Sequence, residues 1–285
     1  MYEKRFGLKR RPFPTTLNLA CYYPATPHEQ VLAAQLRALH DEEGMTLVVG
    51  EAGVGKTLLA QILLDRVGDV FDSAFLTNSH FADRTALLQA ILYDLGLPHE
   101  HCSEQELRLR LTDHCLRLSG EGRRALLVVD EAQNLSDDHL EELRLLGNLE
   151  AEHKTIQIVL LAQSSIFETL EQPRLASFRQ RLVARGTLAP LGAEEAMDYL
   201  LHHVRWAGGR AEAIFDEEGL ATLARGCRGV PRLLNQAGHQ ALTLADSGDM
   251  GMIDTEIALE ALASLGLHAD EDEGADNELK LRQAA

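Results

Sequence analysis

Apolar residues recur along this chain with two different periods. Short, nearly unbroken apolar runs lie at 45–49 (Met-Thr-Leu-Val-Val), 73–77, 124–129 (Arg-Ala-Leu-Leu-Val-Val), 155–162 and near 183–188. Runs of that length predict strands, and strands without polar alternation are those buried on both faces. Between them the spacing becomes helical. Val31, Leu32, Gln35, Leu36 and Leu39 make one stripe of a helix over 28–43. Further helices are predicted at 58–67, about 84–95, 103–118 and 138–151, with shorter ones within 165–181. Strands alternating with helices imply a mostly parallel sheet covered on both faces. From Ala193 onward only helical spacing is left, at about 193–207, 216–226, 231–246 and 254–265, which predicts a separate helical lid. Pro12, Pro14, Pro24 and Pro27 interrupt the opening. The predicted division is an irregular arm over 1–27, an α/β core over 28–191, a helical lid over 192–267 and an acidic, disordered tail over 268–285.

Composition changes this picture little, since 45% hydrophobic and 25% charged residues are ordinary for a globular protein. No apolar run approaches a membrane span, and the N-terminus lacks a signal peptide's apolar stretch, so a cytoplasmic location is expected. Cys21, Cys102, Cys115 and Cys227 are scattered and read as reduced thiols. His99, His101, Cys102, His114 and Cys115 have zinc-ligand chemistry without the spacing of a compact zinc knuckle, and Cys115 falls among leucines, so they read as packing residues. Charge says more. A net charge of −17 argues against a surface that coats DNA. Lys4, Arg5, Lys9, Arg10 and Arg11 nevertheless make the opening basic. That arm is either solvated or an anion contact for nucleic acid or acidic lipid.

The chemistry concentrates at the end of the first strand. Gly50-Glu51-Ala52-Gly53-Val54-Gly55-Lys56-Thr57 fits the phosphate-loop pattern at every fixed position, between a predicted strand and a predicted helix. Glycines let the backbone turn its N–H groups toward an anion, and the new helix adds its positive dipole end. Lys56 is then placed for the β- and γ-phosphates of a nucleotide, and Thr57 for Mg²⁺. The strand at 124–129 runs into Asp130-Glu131, the carboxylate pair that a nucleotide hydrolase needs opposite that loop. Asp130 would hold the metal and Glu131 would take a proton from, or orient, the attacking water. Gln163 follows the fourth strand at the sheet's ligand edge. Arg179 and Arg181 precede the last strand, where an arginine can project into a neighbouring subunit's nucleotide, and Arg232 opens a lid helix after Gly229-Val230-Pro231.

These motifs in this order resemble an AAA+ ATPase. The likeness is closer to the ExeA/GspA-type ATPases of bacterial type II secretion. It is carried by Tyr2, Phe6-Gly7-Leu8, Pro12-Phe13, Tyr23 and His28, by the run from Asp130 to Ser136, by Leu140 to Glu150, by Arg179-Gln180-Arg181 and by Gly229 to Asn235. The resemblance covers about residues 1–265. It implies an α/β P-loop NTPase of the AAA+/ASCE kind, with a five-stranded parallel sheet and a C-terminal helical lid. It further implies Mg²⁺-dependent ATP hydrolysis, ring or filament assembly, and a partner in a secretion or envelope complex. It adds Tyr23, His28 and Leu58 to the nucleotide-contacting set. Leu58 stands where the family has a second threonine, and Ala162-Gln163-Ser164 where it has Gly-Gln-Pro. Family members acting in secretion carry a membrane span and a periplasmic part after the ATPase, and this sequence stops after the lid. The same core occurs in transposition ATPases of the TniB/MuB kind, which bind DNA. A DNA-binding ATPase and a slow nucleotide-dependent switch are therefore the alternative expectations.

Overall fold

The computed structural model describes residues 2–149 and 154–268. They form two compact units. One is Thr26–Ala189, and the other pairs the first 25 residues with those after Ala189.

The first unit runs α1 (Thr26–His40), β1 (Met45–Val49), α2 (Lys56–Val67), β2 (Phe71–Leu76), α3 (Arg84–Asp94), α4 (Glu104–Gly120), β3 (Arg124–Val129), α5 (Asp137–Leu146), β4 (Ile156–Ala162), α6 (Ile166–Leu170), α7 (Ala176–Arg179) and β5 (Leu182–Thr187). Helix starts follow local chemistry. Asp83 caps α3 by accepting from the Ala86 N–H, and Ser103 with Glu106 makes a reciprocal capping box for α4. Ser136 caps α5 in the same way with His139. The helix expected over 138–151 stops earlier, at Leu146, where the Gly147 N–H closes onto the Leu143 carbonyl; its last predicted residues lie outside those described. α1 covers the whole stripe but runs Thr26–His40 where 28–43 was expected, because Glu42 and Gly44 take positive φ to turn the chain into β1.

The five strands pair in parallel in the order β2-β3-β4-β1-β5. Leu47, Val48, Leu127, Val128, Ile158 and Val159 are almost wholly buried, which is why their runs lack polar alternation. The order leaves the C-terminal ends of β3, β4 and β1 side by side. Ligands of open parallel sheets bind outside such ends.

The second unit holds α8 (Ala193–Trp206), α9 (Glu217–Gly226), α10 (Pro231–Ser247) and α11 (Thr255–Ser264) around a core that includes Leu200, Val204, Leu223, Leu234, Leu242 and Leu262. The arm is expected over residues 1–27, but residues 26 and 27 already belong to α1, and residues 2–25 do not stand apart from both domains. Apart from one 3-10 turn at Leu19–Cys21 they are irregular, yet they belong to this unit, with Tyr2, Leu8 and Phe13 buried in its core. The arm's cations are partly engaged as well: Arg5 pairs with Asp249 at 2.5 Å and Arg10 lies 4.9 Å over the Trp206 ring. The acidic tail falls outside the described residues, apart from His268.

Candidate active site

The loop from β1 to α2 is shaped by its glycines. Gly53 and Gly55 have φ of +85° and +104°, where a side chain is strained. A Cβ at Gly50 would stand 2.7 Å from the Leu188 carbonyl oxygen. His28, buried on α1, lies against the loop, with Nε2 2.8 Å from the Val54 carbonyl oxygen. A Cβ at Gly55 would meet that same nitrogen at 3.0 Å. Val54 is fully buried and Glu51 exposed. The Lys56 ammonium donates to the carbonyls of Gly50 and Glu51, at 2.7 and 3.1 Å, and so stays within the loop's own curve. The Ser164 hydroxyl donates to Glu51 Oε1 at 2.9 Å, tying the loop to the end of β4. Ala52 is exposed, and Leu58 sits half-buried in the first turn of α2.

The second motif meets the first directly. Thr57, one residue into α2, donates from Oγ1 to Asp130 Oδ2 at 2.5 Å. Asp130 ends β3 only 3% exposed. Burial pushes its carboxyl above the usual carboxylate range, while the Thr57 hydroxyl and the Glu131 N–H pull it back. The Glu131 N–H donates to Asp130 Oδ1 at 2.8 Å. A hydroxyl and a buried carboxylate oxygen meeting beneath a phosphate loop fit a divalent cation. Its charge would offset the desolvation that Asp130 now bears.

Glu131 takes a left-handed backbone conformation, φ +51°, unusual for a residue with a side chain and typical of strained functional positions. Its Oε2 accepts from Gln163 Nε2 at 3.1 Å and from Gln133 Nε2 at 2.5 Å. Gln163 follows the last residue of β4 and lies beside the Asp-Glu pair. Gln133 and Ser79 were not anticipated as site residues. Gln133 was visible only as part of the Asp130–Ser136 run. Ser79, buried beyond β2, donates its hydroxyl to the Asp130 carbonyl.

The first unit thus brings together Lys56, Thr57, Asp130, Glu131, Gln163 and His28. Arg179 ends α7 and Arg181 precedes β5; both are exposed. Leu182 pairs with Met45, so Arg181 lies at the opposite end of the sheet from the phosphate loop. Tyr23 and Arg232 belong to the second unit. Tyr23 packs edge-on to Tyr199 at 5.9 Å and tilted to His202 at 5.4 Å. Arg232 is exposed in the first turn of α10. Just before it, a Cβ at Gly229 (φ +66°) would lie 1.9 Å from the Leu191 carbonyl oxygen, so only glycine allows this turn. Among the residues set aside as zinc ligands, the His114 ring bonds Asp72 at 2.8 Å, and burial pushes the Cys115 thiol up to about 12.

A parallel sheet with the phosphate loop after β1, an Asp-Glu pair after β3 and a glutamine after β4 defines a P-loop NTPase of the AAA+ class. An AAA-domain family model matches residues 39–170. The general secretion pathway protein A of Aeromonas hydrophila is 35% identical over 277 residues, spanning 96% of this chain and 50% of that protein. Two solved structures share the fold. The ORC2 protein of Aeropyrum pernix superposes with a TM-score of 0.70 at 16% identity, over 95% of this chain and 74% of its own. Cdc6p of Pyrobaculum aerophilum gives 0.68 at 19%, over 91% and 70%. This chain is similar to the AAA+ ATPases of the ExeA/GspA type over nearly its whole length, and it spans half the length of the curated relative it matches. Among the described residues no helix is long and apolar enough to cross a membrane.

Proposed function

We propose that this chain binds ATP with Mg²⁺ and hydrolyses it, and that turnover drives assembly or remodelling of a secretion or envelope complex from the cytoplasmic side. The observation that carries the chemistry is the hydrogen bond from Thr57 to Asp130, with the Glu131 carboxylate one residue further on. Mg²⁺ between Thr57 and Asp130 would offset the charge of the β- and γ-phosphates. Lys56 exchanges its loop carbonyls for those phosphates, and the loop's N–H groups hold their oxygens. Glu131 orients a water and accepts its proton as the water oxygen bonds the γ-phosphorus and the bond to the ADP oxygen breaks. Gln163 keeps the glutamate aimed from β4. Arg232 of the helical unit and Arg181 of a neighbouring copy are the candidate partners for charge building on the γ-phosphate. The partner reading is supported by the name of the Aeromonas relative, a general secretion pathway protein. Binding to DNA is less favoured, since Arg5 is already paired and Arg10 already stacked.

The test separates binding from chemistry. Glu131→Gln is expected to keep ATP affinity and lower phosphate release by about 10²-fold or more, the usual weight of a positioned base. Lys56→Ala is expected to lose both. Normal turnover by Glu131→Gln would reject Glu131 as the base.

A further inference from the structure

Gln133 does something that neither the phosphate loop nor the Asp-Glu pair requires. Its side chain lies between Glu131 and the end of β4 and bonds both. Nε2 donates to Glu131 Oε2 at 2.5 Å, and Oε1 accepts from the Gln163 backbone N–H at 3.0 Å. Only one orientation of the amide satisfies this pair. Rotated by half a turn, it would set oxygen against carboxylate and N–H against N–H. Gln163 then adds its own side chain to the same carboxylate oxygen, at 3.1 Å. One oxygen of Glu131 is thereby fixed by two amides, both anchored at β4.

We propose that Gln133 is a positioning residue for hydrolysis: it clamps Oε2 of Glu131 against the end of β4, so that the carboxylate presents its other oxygen to the attacking water in one fixed direction. This inference rests on the hydrolase reading given above. The residue type is demanded by the geometry. Glutamate would face one carboxylate with another. Asparagine is one methylene too short to span the same two groups. Methionine keeps the length and loses both hydrogen bonds. The turn formed by Ala132–Asn134 and the left-handed Glu131 backbone already point the two side chains the same way, so the clamp needs no rearrangement of the chain. Without it one of the two amide bonds on Oε2 is gone, and misplacement of a catalytic group by about 1 Å can lower a rate by about 10²-fold.

The experiment compares Gln133→Met, Gln133→Glu and Glu131→Gln with the parent chain. Nucleotide affinity is measured by equilibrium binding, kcat and KM by phosphate release, and folding by melting temperature. For Gln133→Met the expected result is a kcat about 10- to 100-fold lower, with nucleotide affinity unchanged. Gln133→Glu should lose kcat at least as far, since it sets a second carboxylate against Glu131. A merely structural role would lower the melting temperature and nucleotide affinity together, without a selective fall in kcat. Parent-like kcat in Gln133→Met overturns the clamp, provided Glu131→Gln is inactive. If Glu131→Gln turns over normally, it is the hydrolase assignment that fails. Should Gln133→Met not fold, Gln133→Glu carries the same comparison.

Discussion

Asp130 works against the stability of the protein whose site it builds. Its carboxylate is buried at the end of β3, and burial, aided by the charge of Glu131, holds its proton more tightly in the folded state than in the unfolded chain. A carboxyl raised on folding contributes stability only at low pH. That contribution disappears as pH rises from the usual carboxylate range through the raised value, and it stays lost at neutrality. Asp130→Asn imitates the protonated form and keeps an oxygen for the Glu131 N–H. It is expected to melt higher than the parent at pH 7 without nucleotide, where about 1 kcal/mol corresponds to about 2–4 °C for a domain of this size. The gap should close near pH 4, and turnover should vanish. A lower melting temperature at pH 7 would show that the Thr57 and Glu131 bonds outweigh burial. The loop, Asp130 and Glu131 were legible in the sequence because each motif is contiguous and ends a strand. The partners of Glu131 were less so. Gln133 and Gln163 are 30 residues apart, and their meeting depends on β3 and β4 being neighbours in the sheet. The role of Ser79 depends equally on β2 lying beside β3.

At the level of elements, the opening segment is where sequence and structure part most. Its prolines and basic residues suggested an arm, and Tyr2, Leu8 and Phe13 have no period that would announce burial. They dock individually. A Cβ at Gly238 of α10 would stand 2.6 Å from the Phe13 ring. Phe13 stacks on His203 of α8 at 5.8 Å, and His203 Nδ1 lies 3.0 Å from the Pro12 carbonyl oxygen. Phe13 is 1% exposed, so Phe13→Ala should destabilise the helical unit by about 3–5 kcal/mol, where a solvated arm would lose nothing. Denaturant unfolding followed through Trp206 on α8 measures this. The same contact is sensitive to pH. Burial pushes His203 down to about 4, with the Pro12 carbonyl opposing and His202 adding to the fall; Tyr199 packs on its other side. A histidine lowered on folding contributes stability that is full above its unfolded value of about 6.5. That stability drains as pH falls toward 4, at up to about 1.4 kcal/mol per pH unit. His203→Gln should flatten the decline between pH 6.5 and 4, and an unchanged decline would exclude His203 as its source. The strands were easier to read than this segment, because burial on both faces leaves an unbroken apolar run that needs no tertiary knowledge to recognise.

For the whole molecule the open question is whether one chain holds a complete site. β5 is an edge strand of the sheet, and Arg181 stands just before it, at the end where Leu182 pairs with Met45. The phosphate loop begins beyond Val49, after the full five residues of β1. At about 3.3 Å per residue that is about 16 Å along the strands, further than a side chain reaches. Arg181 is exposed, and among the described residues neither it nor Arg179 makes a side-chain hydrogen bond or ion pair. An always-charged, planar group with no bonded partner among the described residues of its own chain, placed away from its own nucleotide, is suited to the nucleotide of a neighbouring copy. Arginines supplied in trans can raise turnover by about 10³-fold or more. ATPase activity per chain should therefore rise with protein concentration and saturate as copies associate. Arg181→Ala should be inactive alone. Mixed with Lys56→Ala it should regain part of the activity, because the first supplies an intact phosphate loop and the second the arginine. Arg179→Ala in the same mixture tells which of the two arginines acts. Specific activity over a dilution series, with sedimentation to follow association, decides the matter. Constant specific activity from a demonstrated monomer would mean that the site is complete within one chain, and would favour a nucleotide switch over a shared-site motor.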